Sequence, residues 1–129
     1  MKTSKIILSL LACGVFALLP NVARAHGGEE HGAKGDEKTI TGEVVDMACY
    51  IDHGAAGAKH ADCAKTCISS GLPVGIKAAD GKTYLIIGEH KPINSELAEL
   101  AAKTITVKGK VTSRDGLNMI ENAEIVPKG

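Results

Sequence analysis

The chain has no tryptophan, and its 129 residues include only two tyrosines and one phenylalanine. Single-strand nucleic-acid binders stack bases on aromatic side chains along a basic groove, and neither resource is present. Positive charge is not in excess either, since 15 Lys and Arg stand against 15 Asp and Glu. Without a basic footprint, nucleic-acid binding is set aside. Also missing are a paired-carboxylate acid/base motif, a Ser/His/Asp arrangement and a glycine loop that opens a helix to cradle phosphate. The C-x-x-C spacing of thiol–disulfide enzymes and the C-x-x-C-H of covalent haem attachment are absent as well. No activated nucleophile or open-site metalloenzyme signature can be read, so the expectation is a protein that is not an enzyme.

What the chain does have begins with Lys2 and Lys5, an apolar run from Ile6 to Leu19, and Ala23-Arg24-Ala25. A basic start, an apolar stretch too short to span a bilayer and an A-x-A ending point to a secretory signal over residues 1–25. Cleavage after Ala25 would leave 104 residues beginning at His26. The competing lipoprotein reading, with Leu10-Leu11-Ala12-Cys13 as the acylated box, ranks second because the apolar run continues past Cys13. No transmembrane segment is expected in the mature chain. Loss of Lys2, Lys5 and Arg24 leaves 12 basic against 15 acidic residues. The expected location is therefore periplasmic or secreted, where thiols can be oxidised.

Residues 26–38 are rich in glycine, histidine and glutamate and read as a flexible tail. A single domain is expected over 39–129. Ile40 to Cys49 has strand residues, with a bulge or bend at Gly42. Val74–Ala78 and Thr83–Ile87, joined through Asp80-Gly81, read as a hairpin. A short helix capped by Ser95 follows, with Ile93, Leu97 and Leu100 on its inner face. Thr104–Thr112 and Leu117–Val126, joined through Arg114-Asp115-Gly116, complete the set. The expected architecture is mainly β: a five-stranded, OB-fold-like Greek-key barrel. A Cys/His-bearing helix follows strand 1, and a short helix lies between strands 3 and 4.

The segments T-G-E-V-V-D, D-G-K-T-Y-L and V-K-G-K-V…G-L-N-M-I-E-N-A-E-I-V resemble the small secreted bacterial OB-fold proteins over roughly residues 39–127. The resemblance implies the barrel. It does not account for the Cys/His insertion at 49–72, and fold alone does not fix function.

That insertion, C-Y-I-D-H-G-A-A-G-A-K-H-A-D-C-A-K-T-C from Cys49 to Cys67, concentrates the chemistry. A helix is expected from about Ala58 to Ser70, stopped by Gly71 and Pro73. At helical spacing His60, Cys63 and Cys67 share one face, with Cys49 at the preceding strand end and His53 in a glycine-flanked turn. A Cys63–Cys67 disulfide is disfavoured, because helical residues four apart hold their Cβ atoms about 6 Å apart against an optimum of about 3.8 Å. A Cys49 bridge to either helical cysteine is easier, yet one thiol of the mature chain stays unpaired. Thiolate with imidazole suits zinc or copper. The preferred reading is a binding module holding a transition metal through Cys49, Cys63 and Cys67, with His60 and then His53 as nitrogen donors. The alternatives are a disulfide-stapled interaction domain with an envelope-protein partner and, third, a thiol–disulfide redox protein.

Four further groups complete the inventory. Asp46 and Asp52 could orient a histidine ligand, and Met47, a soft ligand by chemistry, is expected in the core of a strand instead. His26, as a new N-terminus, with His31 offers nitrogen for Cu(II), although a solvated tail is the stronger reading of them. His90 reads as an exposed loop residue, and non-covalent haem ligation by a histidine stays open.

Overall fold

The computed structural model describes residues 35–127. The expected leader, Cys13, His26 and His31 lie outside those residues. Five strands are present among the described residues: β1 (Asp36–Asp46), β2 (Val74–Ala78), β3 (Thr83–Ile86), β4 (Thr104–Arg114) and β5 (Leu117–Val126). They close into a barrel in the order β1-β2-β3-β5-β4, with β4 returning to β1. All neighbouring pairs are antiparallel except β3 and β5. Among the described residues no helix is long and apolar enough to cross a membrane.

Alternation of small and β-branched residues drives closure. On β4, Ile105, Val107 and Gly109 face inward while Thr104 and Lys108 face solvent. On β1 the buried run Val44-Val45-Asp46 marks where the strand dives beneath the helices. Gly42 is registered with both Ala78 and Ile105, so one strand serves two neighbours there. Val44, Ile76, Val107 and Ile120 are fully enclosed in the core. The β4–β5 turn places Asp115 and Gly116 at φ 51° and 85°, the paired positive values that a tight hairpin requires.

Three short helices decorate this barrel: α1 (Met47–His53), α2 (Ala61–Ser69) and α3 (Asn94–Ala98), with a 3-10 turn at Ala58–His60 before α2. Strand β1 begins at Asp36, four residues ahead of the expected start at Ile40. It also ends earlier than expected, at Asp46, and Met47 to His53 is helical rather than strand and turn. Asp46 explains the switch. Its backbone is still extended (φ −70°, ψ 121°), and its carboxylate accepts from the Ala48 and Cys49 N–H groups, which caps a new helix. Gly54 closes α1 at φ 74°, a left-handed conformation that glycine adopts without steric cost. In α3, Ser95 lies inside the helix, not at its cap. Asn94 donates instead to the carbonyls of Ile68 and Leu72 at 2.9 and 2.8 Å, tying α3 to the end of α2.

Candidate metal centre

Helix α2 is seated by Ala64 and Ile68, the latter fully buried. Those positions are one turn apart and fill the core side of the helix. Cys63 and Cys67 precede them by one residue each and form the adjoining stripe. They are therefore held at the boundary between core and solvent, Cys67 half-buried and Cys63 exposed. Gly71 ends the helix with its N–H on the Ile68 carbonyl at 3.0 Å, and Leu72 donates to the Cys67 carbonyl at 3.1 Å. The expected stop signals act as read.

Cys49 arrives from α1. Three restraints fix that helix: the Asp46 cap, the Met47 N–H on the Pro73 carbonyl at 2.9 Å, and Met47 itself, buried against Gly75. A side chain at Gly75 would collide with the Met47 sulfur and, at 2.6 Å, with the Tyr84 carbonyl. Glycine is needed there so that α1 can lie close to β2. Met47 is in the core as expected, but on a helix instead of a strand.

These placements bring Cys49, Cys63 and Cys67 together, their three sulfur atoms all within 4.8 Å of one another. All three are free thiols, with no disulfide between them. Three sulfurs around one ion at about 2.3 Å stand at most about 4.0 Å apart. Small side-chain rotations therefore suffice to enclose an ion.

The electrostatics are those of a proton-holding site. Asp46, 2% exposed and the one buried charged residue described, hydrogen-bonds the Cys49 thiol. That bond, then burial, pushes the Cys49 pKa from 9.0 up to about 12. Cys67 is raised as well, first by desolvation and then by the Asp46 charge, and it shares thiol hydrogen bonds with Cys49 and Cys63. Burial and a nearby anion both disfavour a thiolate, so Cys49 and Cys67 hold their protons until a cation replaces them.

The histidines stand apart from that cluster. His53 is the last residue of α1, and its Nδ1 lies 3.1 Å from the Asp52 carboxylate. His60 closes the 3-10 turn at φ −104°, ψ 2°. This is the reason it leaves the face shared by Cys63 and Cys67: regular helix begins one residue later. The two imidazoles lie 6.3 Å apart, centroid to centroid. Neither belongs to the group of ligand atoms within 4.8 Å. Asp46 serves Cys49 rather than a histidine, whereas Asp52 does pair with His53 as expected. His90, at φ 50°, has its Nδ1 3.8 Å from Glu121.

The role of α1 escaped the sequence reading, although a signal was there. Asp46 and Gly54 bracket seven residues, an N-cap and a C-terminal glycine in the order a short helix requires.

No protein-family model, curated protein sequence or solved structure matches the chain.

Proposed function

We propose that this chain is a small exported metal-binding module in which Cys49, Cys63 and Cys67 hold one transition-metal ion, zinc or copper. The observation that carries the reading is the meeting of three free thiols within 4.8 Å, drawn from two separately anchored helices. Thiolates are soft donors, and imidazole and sulfur together suit these two metals among the common divalent and monovalent ions. His60 and His53, expected from the sequence as nitrogen donors, are outside the group of converging ligand atoms, and the reading rests on the three sulfurs. The module binds; it does not catalyse. An OB-fold-like Greek-key barrel is the scaffold in this reading, supported by the strand order 1-2-3-5-4 and by a helix between β3 and β4. Export through the expected leader places it in the periplasm or outside the cell, where an envelope protein is the natural partner for exchange of the ion.

The test is the intact mass of the exported protein, native and denatured, without reductant. The expected result is a native-only excess equal to one metal ion, with all three thiols alkylatable after denaturation. A mass two hydrogens lower, with one alkylatable thiol and no metal, would replace this reading with the disulfide-stapled interaction domain.

A further inference from the structure

Which ion the thiols take depends on whether a fourth donor is prepared. Three features of the insertion say that it is not. The segment between the helices is pinned away from a free swing, because the Gly57 N–H donates to the Glu43 carboxylate on β1. His53 is engaged by Asp52 on its own helix. Asp46, the buried carboxylate beside Cys49, already accepts from the Ala48 and Cys49 N–H groups. Among the described residues the set of converging ligand atoms is sulfur alone.

Thiolate donors suit both zinc and cuprous copper, but protein-bound zinc in closed sites is almost always four-coordinate, so the number of donors is what separates them. A monovalent d10 ion is satisfied by three sulfurs in a plane, which is the arrangement a triangle of thiols offers. Charge argues the other way. Three thiolates beside the buried Asp46 carboxylate favour a dication by Coulomb's law. Donor softness outweighs this, because the copper–thiolate bond is largely covalent and does not depend on net charge alone. Resting on the thiolate-site reading above, we propose that the cluster is a cuprous-copper site built from Cys49, Cys63 and Cys67 only. His53 and His60 remain outside the coordination shell.

The exposure of Cys63 adds a functional consequence. One sulfur of the triangle faces solvent, so an incoming thiol or thioether ligand can share the ion before the other two sulfurs release it. A site that only braced the fold would have no use for an open corner. An ion bound there would be cargo.

The full-length exported chain, reduced and kept anaerobic, is loaded in parallel with Cu(I) from an ascorbate-buffered solution and with Zn(II). Copper X-ray absorption and competition against a calibrated cuprous chelator are the readouts. The expected result is one Cu(I) per chain, a shell of sulfur without nitrogen, and a Cu(I) affinity in the His53→Ala/His60→Ala variant within about twofold of the parent. Nitrogen in the shell, or an affinity loss of about tenfold or more in that variant, overturns the sulfur-only assignment. Uptake of zinc without copper overturns the choice of ion and leaves the thiolate site standing. Uptake of neither overturns the site itself. Cys63→Ser controls for folding: it removes one exposed donor, keeps the buried face of α2, and is expected to abolish tight Cu(I) binding while the chain stays folded.

Discussion

Asp46 caps α1 and, with the same carboxylate, holds the proton on Cys49. Substitution by asparagine separates the two roles, since Asn caps a helix about as well as Asp but carries no charge. Asp46→Asn is therefore expected to keep the fold and to lower the Cys49 pKa. Alkylation of Cys49 at pH 8 should accelerate by about threefold for each unit of that fall, the gain in thiolate being partly offset by its lower nucleophilicity. Site-resolved mass spectrometry reads the rate, with exposed Cys63 as the internal reference; an unchanged Cys49 rate would remove Asp46 as the cause. The same raised pKa gives the metal-free protein a pH signature. A thiol whose folded pKa exceeds its ordinary value of 9.0 favours the folded state fully below pH 9. That contribution is lost as the pH rises through about 12, so denaturation midpoints of the metal-free chain should decline in that window. Loaded protein should respond at the other end of the scale. Acid returns protons to the sulfurs, and the ion should leave as the pH is lowered, as dialysis followed by elemental analysis would show.

At the scale of elements, the cluster depends on two seats rather than on the cysteines alone. Gly75→Ala pushes on Met47, the residue that seats α1. Overpacking of this kind costs about 1–3 kcal/mol, and the variant should bind metal more weakly although no ligand is touched. Ile68→Ala empties the fully buried position beneath α2 and is expected to cost about 2–5 kcal/mol in denaturant titration. The strands, the two Asp-Gly turns and the stop of α2 were legible in the sequence because each rests on local chemistry: alternation, positive φ and a terminal glycine. Helix α1 was not. Met47-Ala48-Cys49-Tyr50-Ile51 follows a β-branched strand without a break, and Tyr50 and Ile51 have no strong helical preference. What decides its conformation is the carboxylate of Asp46 turning back onto the chain. The convergence of Cys63 and Cys67 could be read from helical spacing. The exit of His60 could not, because it depends on which residue starts the regular turn. Periodicity cannot locate that boundary to within one residue.

For the molecule as a whole, an ion held by both α1 and α2 stabilises the folded chain by mass action. At about one hundred times the dissociation constant this amounts to about 2.7 kcal/mol, and the melting midpoint should rise on the order of 10 °C. Thermal denaturation with and without a chelator measures it. A midpoint indifferent to metal would mean that the two helices are not bridged. The barrel beneath them has a further consequence. Every strand has a neighbour on both sides, with β4 returning to β1 and β3 lying beside β5. Closure of this kind shortens the strand edge open to another chain; among the described residues a one-sided stretch remains at Asp36–Thr41 of β1, which pairs with β4 alone. Fluctuation of α1 or α2 would then uncover side chains while leaving the paired part of the barrel closed.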